Sequence, residues 1–267
     1  MALTPTHRPT REWPLLVLAL ALVCALCVPL WQWTAGEGVS SPWQDWSAGR
    51  FGRLLLGPAQ IAAYCCFAWA AFILLGRYLE VRRQRRAFGL GLLPTDAGAR
   101  ILPEDARPLQ RKVDQLASRG GPYILANMVR LALGKYAVSR SSHEVSETVR
   151  TQAEVDQGRL VASMATVHYL AWAIPTIGFL GTVLGMAGGL AQAGKIDDEH
   201  FSELVAGQLS NAFDCTLVAL VLSLGVMFLL HAVQREEEAL VIDCQQYCLE
   251  HLVNRLYDLE PVAEFER

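Results

Sequence analysis

The sequence predicts an all-α membrane protein: four transmembrane helices with long cytoplasmic helical extensions. Three observations carry this. Hydrophobic residues make up 52% of the 267 residues and charged residues only 18%, against about 25% charged in soluble chains. The apolar residues come in blocks, and four of these have the length of a bilayer crossing. Directly after the second block stands Arg77-Tyr-Leu-Glu-Val-Arg-Arg-Gln-Arg-Arg86, five arginines against one glutamate, a pattern that holds a segment in the cytoplasm. The net charge of -3 and mean hydropathy of +0.26 point to neither nucleic acid nor an acidic substrate.

The elements follow in order. Residues 1–13, with His7, Arg8 and Arg11, are the cytoplasmic N-terminus. A first crossing over about 14–34 contains Pro29 and ends in Trp31 and Trp33, which suit a membrane interface better than a signal-peptidase site, so it is read as a retained anchor. An external loop, 35–53, sets Trp43 and Trp46 near the headgroups, and the second crossing, about 54–76, completes the segment 14–76.

The region 77–159 reads as cytoplasmic and helical. Pro94, Pro103, Pro108 and Gly120-Gly121-Pro122 divide its first part. After them 123–137 is an amphipathic run with Leu125, Met128, Leu131 and Leu133 among its apolar positions. Ser141 with Glu144 three residues on is a capping box. No breaker follows until Pro175, so the sequence predicts one helix of about 50 residues, roughly 75 Å long, running straight into the membrane.

A hairpin over 160–233 holds the third crossing (about 160–191) and the fourth (about 208–231), joined by a loop at 194–203 with Asp197, Asp198 and Glu199. The tail, 234–267, is acidic and returns to the cytoplasm. Its Leu249, Leu252, Val253, Leu256 and Leu259 lie near heptad spacing, and its charges are read as a solvated helix face.

The hairpin also holds the polar groups that need explaining. Ile174-Pro-Thr-Ile-Gly-Phe-Leu-Gly-Thr-Val-Leu-Gly-Met186 sets Pro175, Thr176, Gly178 and Thr182 in an apolar run, and Asn211-Ala-Phe-Asp-Cys-Thr-Leu-Val-Ala-Leu220 sets Asp214 and Thr216 in another. Hydrocarbon disfavours such groups, a carboxylate by about 2.5–3.5 kcal/mol, so they mark something polar nearby. Gly181, Gly185 and Gly189 recur every fourth residue and form a smooth strip for close helix packing. A hairpin pivoting near residue 198 sets Thr182 level with Asp214 and Thr176 level with Leu220.

The segment Pro175-Thr-Ile-Gly-Phe-Leu-Gly-Thr-Val-Leu-Gly185 resembles the "P…GLLGTVxG" helix of the MotA/TolQ/ExbB proton channel family, and 208–222 resembles its "AL…T…GLxxAI" helix. The resemblance spans about 140–250. It implies a homopentamer around a dimer of a single-span partner of the ExbD, TolR or MotB type, in the bacterial inner membrane, with proton or sodium flow driving mechanical work in the periplasm. Thr182 matches the threonine that lines the family's ion path. On the next helix the alignment puts Phe213 at the matching threonine, with Asp214 beside it and Thr216 further in. The candidate ion path is therefore Thr182, Asp214, Thr216 and Thr176, with Pro175, Gly178, Gly181, Gly185 and Gly189 packing or hinging the helices. The four-span layout is closer to the flagellar stator subunit than to three-span TolQ and ExbB.

Other chemistry finds little footing. Cys24/Cys27 and Cys65-Cys66 lie in apolar blocks and read as small hydrophobes. Cys244, Cys248 and His251 share one side of the tail but lack a fourth zinc ligand. His168 and His231 read as interfacial. No phosphate loop, nucleophile elbow or metalloprotease motif is present, so no enzyme, metal or cofactor is expected. A secondary transporter subunit and a non-conducting membrane scaffold are the alternative functions.

Overall fold

A computed structural model describes residues 12–34, 54–93, 100–118, 121–193 and 198–257. The expected external loop 35–53, the N-terminal cations, Asp197 and the last stretch of the acidic tail lie outside the described residues. The elements are α1 (Glu12–Thr34), α2 (Pro58–Arg85), a 3-10 turn (Arg86–Leu90), α3 (Ala106–Ser118), α4 (Ile124–Ser139), α5 (Ser142–Ala162), α6 (Ala165–Ala193), α7 (Asp198–His251) and a 3-10 turn (Val253–Arg255). Among the described residues the only β pairing is an isolated bridge, Ile101 with Leu256.

Three stretches, within 58–90, 142–191 and 205–255, are long and apolar enough to cross a membrane, and α1 carries a shorter apolar stretch, Trp13–Pro29. α6 and α7 expose large apolar side chains along their lengths, Leu190 at 75% and Phe228 at 73%. Water would penalise so extensive an apolar surface, whereas acyl chains would not. The chain is an all-α, multi-pass membrane protein.

The described chain divides into two units: Arg77–Ser163 with Val233 onward, and residues up to Gly76 with Met164–Ala232. In the first unit α4 is the central element, packed against α3 and α5. Ile124, Leu125, Ala126, Met128, Val129, Ala132, Leu133 and Tyr136 are all buried, so α4 is covered nearly all round rather than amphipathic as its pattern suggested. α3 is the amphipathic one: Ala106 and Val113 are buried, and Leu109 and Leu116 pack behind them at helical spacing. Each large buried side chain contributes about 1.5–3 kcal/mol.

The end of α7 completes this core. Leu240, Val241, Cys244, Cys248 and Leu252 are buried, and the helix stops at His251. Of the residues at heptad spacing, Leu252 is buried and Val253 and Leu256 pack against the core beyond the helix end, so they do not continue a heptad helix, and Leu259 lies outside the described residues. Tyr136, fully buried, sets its hydroxyl 3.1 Å from the Ile101 carbonyl and 2.8 Å from that of Tyr257. It ties the segment after α7 to the segment before α3.

Ser141 caps α5 as expected, its hydroxyl accepting from the Glu144 N–H, while the Glu144 carboxylate pairs with Lys135 at 2.7 Å instead of reaching back to Ser141. The predicted unbroken helix does not form: α5 ends at Ala162 and α6 begins at Ala165. The cause lies in Arg77, which is 1% exposed. Its Nε and Nη2 donate to Glu237 at 2.8 and 3.0 Å, Nη1 donates to the Ser163 hydroxyl and carbonyl at 2.5 and 3.4 Å, and Nη2 also donates to the Leu160 carbonyl at 3.3 Å. The Ser163 hydroxyl donates in turn to Leu160 O at 2.7 Å. An uninterrupted helix would give the Leu160 and Ser163 carbonyls to N–H groups four residues on. Here a side chain claims them. All five guanidinium donors are satisfied.

Candidate functional site

In the second unit α6 and α7 lie closer than ordinary side chains allow. A Cβ on Gly178 would stand 2.5 Å from the Ala219 Cβ, one on Gly185 3.0 Å from the Ala212 Cβ, and one on Gly189 3.2 Å from the Gln208 Cβ. At Gly181 a Cβ would meet both Ala59 and Cys215 Sγ at 2.7 Å, so this position faces α2 as well as α7. The expected strip of small residues is thus a contact surface, extended one turn by Gly178.

Pro175 lies inside α6. Having no N–H, it leaves the carbonyl four residues earlier without its helical donor. That carbonyl is Ala171 O, and the Ser223 hydroxyl of α7 donates to it at 3.4 Å. In lipid an unsatisfied carbonyl costs several kcal/mol, so Ser223 makes the proline tolerable. The sequence held the signal, a hydroxyl on the neighbouring helix level with the residue four before the proline, but Ser223 was not among the predicted residues.

Between these features lies a small polar cluster. The Thr182 hydroxyl contacts the Thr216 hydroxyl directly. Thr182 Oγ1 is 3.1 Å from both Gly178 O and Ala212 O, and Thr216 Oγ1 is 3.1 Å from Gly178 O. The buried Cys215 thiol lies 3.0 Å from Ala212 O and 3.4 Å from Gly178 O. Glycine at 178 lets α7 come near enough for Thr216 to reach the α6 backbone, since any Cβ there would also stand 3.3 Å from Thr216 Cα. Interhelical hydrogen bonds of this kind are worth about 0.6–2 kcal/mol in membranes.

Thr182 faces the turn Ala212–Thr216, centred on Asp214, at the expected level, and the hydroxyl it meets there is that of Thr216. Two residues turn a helix through about 200°, so Asp214 leaves α7 on a different side from Thr216. It is half-buried there. Phe213, which the alignment set at the family's threonine position, is 58% exposed, and Thr216 one turn on occupies the contact. Thr176 is exposed and donates to the carbonyl of Trp172 in its own helix at 2.9 Å.

Two hydroxyls and two free carbonyl lone pairs admit two hydrogen-bond arrangements. In one, Thr216 donates to Thr182, which donates to Ala212 O. In the other, Thr182 donates to Thr216, which donates to Gly178 O. Each hydroxyl gives one proton and accepts another, so the pair can reverse its polarity without moving a heavy atom.

The remaining candidates have structural explanations. Cys244 and Cys248 sit in the core, where burial raises both thiols above their usual range, and the His251 ring packs on Tyr247 with centroids 4.5 Å apart. Among the described residues no group of three His, Cys, Asp or Glu is arranged to hold a metal ion. The His168 ring nitrogen Nδ1 lies 3.0 Å from Met164 O. Cys27 and Cys65 pack with Ala19, Val23 and Ala68 where α1 meets α2.

No curated protein and no solved structure matches this chain. The family model of the MotA/TolQ/ExbB proton channel family matches residues 122–246, a span that runs from the start of α4 through α6 and the polar cluster into the part of α7 that closes the core. Over this span, which holds both helices of the polar cluster, the chain is similar to the MotA/TolQ/ExbB proton channel family.

Proposed function

We propose that this protein is the ion-conducting stator subunit of an energy-transducing complex in the bacterial inner membrane. The family match over residues 122–246 supports a channel subunit and not an enzyme. In the proposed assembly α1 is a fourth crossing, both termini are cytoplasmic, and five copies surround a dimer of an ExbD/TolR/MotB-like single-span protein. The hairpin 160–233 is the channel element, and 77–159 with 234–267 forms the cytoplasmic helical part.

The observation that carries the reading is the Thr182–Thr216 pair, a reversible hydrogen-bond relay set in an otherwise apolar helix contact. A proton arriving at one hydroxyl displaces the other's, and the carbonyls of Gly178 and Ala212 hold the two resting arrangements. Asp214, at the same depth, supplies negative charge that draws cations to this level. A carboxylate on the partner is neutralised on the outer side and released inward. One charge crossing 100 mV delivers about 2.3 kcal/mol, enough to bias a small rotation between packed helices.

The test is reconstitution. The full chain, co-expressed with an ExbD/TolR/MotB-like single-span protein, is placed in liposomes with an imposed potential and an internal pH dye. Inward proton flux that depends on the partner and on its carboxylate is expected. Liposomes that stay proton-tight with both proteins present and assembled would instead favour a non-conducting scaffold.

A further inference from the structure

The five arginines at the end of α2 do not all do the same thing. Arg77 is buried on Glu237, Arg83 pairs with Glu80 at 2.5 Å, and Arg85 pairs with Glu236 and Asp243 at 3.2 and 3.3 Å. Arg82 and Arg86 are exposed and make no ion pair with any described carboxylate. Arg82 is held by aromatic contact instead: its guanidinium carbon lies 4.7 Å from the centroid of the Tyr78 ring, and Nη2 donates to the Tyr78 hydroxyl at 2.6 Å.

Position on the helix matters as much as charge. Leu75 and Leu79 are 52% and 56% exposed, as residues facing acyl chains would be. At 100° per residue, positions 75, 79, 82 and 86 fall within about 60° of one another. The same face thus passes from leucine to arginine. Arg82 lies about 4.5 Å beyond Leu79 along the axis, and Arg86 roughly 10 Å beyond it. The polar zone outside the hydrocarbon is about 5–8 Å deep on each side, so both guanidinium groups reach it while Leu79 marks the hydrocarbon edge.

We propose that Tyr78, Arg82 and Arg86 form a binding site for the headgroup phosphate of an anionic phospholipid, whose acyl chains lie along Leu75 and Leu79. Guanidinium groups one turn apart grip phosphate oxygens through paired N–H donors, and Tyr78 fixes the nearer one in advance. Glu236, Glu237 and Asp243 of α7 are occupied by Arg85 and Arg77, and Glu80 of α2 itself by Arg83; no described carboxylate pairs with Arg82 or Arg86, which leaves this face positive. The site is independent of the ion-path reading, because its readout is bound lipid and not flux.

The experiment is native mass spectrometry of the full-length protein released from nanodiscs of mixed phosphatidylcholine and phosphatidylglycerol. Arg82→Gln/Arg86→Gln is expected to lower retained phosphatidylglycerol on the order of tenfold or more, from about 1 kcal/mol per arginine, and to leave phosphatidylcholine unchanged. Arg107→Gln, an exposed cation elsewhere, should retain the wild-type amount. Equal retention by the double variant, or an equal loss in Arg107→Gln, overturns the site. Displacement of the lipid by inorganic phosphate also overturns it, since that marks a site for free anions. Subunit mass and melting temperature report folding in the same samples. If the glutamine variant does not fold, Arg82→Lys/Arg86→Lys keeps both charges and should keep at least half of the lipid; loss of the lipid there overturns the proposal as well.

Discussion

Replacing Arg77 by methionine is expected to destabilise this protein far more than replacing Arg77 and Glu237 together by methionine and leucine. Arg77 and Glu237 are 2% and 4% exposed at their side chains, and the guanidinium spends all five donors on Glu237, Ser163 and Leu160. Removing the cation alone leaves a buried carboxylate without compensation, a loss of about 3–5 kcal/mol. At roughly 2–4 °C per kcal/mol for a chain of this size, the melting temperature should drop on the order of 10 °C. Apolar groups of similar volume in both places are nearly neutral, less about 1 kcal/mol for each backbone acceptor that loses its donor. The double variant should therefore lose less than half of what the single variant loses.

Arg77→Lys separates charge from geometry. An ammonium has three donors for the same five acceptors and cannot hold the fork, so an intermediate loss of about 1–3 kcal/mol is expected. The assay is thermal unfolding of the purified full chain in detergent, followed by far-ultraviolet circular dichroism, and only the ranking of variants is read. Equal losses for Arg77→Met and the double variant would refute the reasoning, as would a lysine variant as stable as the wild type.

Two other outcomes follow from particular positions. Gly178→Ala places a methyl 2.5 Å from the Ala219 Cβ, so the helices must separate; the melting temperature and proton flux should both fall, while Gly158→Ala in α5, with open space around the added Cβ, should gain about 0.8–1 kcal/mol from helix propensity. Asp156 is 2% exposed, accepts from Gln152 at 2.9 Å through Oδ2, has no hydrogen bond at Oδ1, and is raised above its ordinary 3.8 by burial, against the Gln152 hydrogen bond and Arg159. The unfolded chain then releases this proton first, so stability should fall as the pH rises from about 3.8 through the raised folded value. Asp156→Asn should remove that fall and be the more stable protein at neutral pH, which melting curves across the pH range would show or contradict.

The residues differ in how much of their role was legible. The depth of the polar cluster was readable because a short loop and a strip of glycines force antiparallel neighbours into one register. Its face was not readable: two residues along α7 separate Asp214 from Thr216 by more than half a turn, and register alone does not give a helix its rotation. The arginine run gave a charge signal, but charge counting treats all five residues alike. That Arg77 is buried on a glutamate 160 residues away, and thereby ends α5, depends on tertiary packing that local patterns do not carry. In α4 and the end of α7 the apolar spacing was visible, yet whether such a face meets solvent or a core depends on what packs against it. Ser223 needed the proline and its neighbouring helix to be considered together.

The proposed relay between α6 and α7 is tested most directly by removing its two hydroxyls without changing shape. Thr182→Val/Thr216→Val, reconstituted with the single-span partner, should lose proton flux on the order of tenfold or more while keeping wild-type subunit number, and Thr216→Ser should conduct. Undiminished flux through the assembled double-valine protein would show that protons take another route.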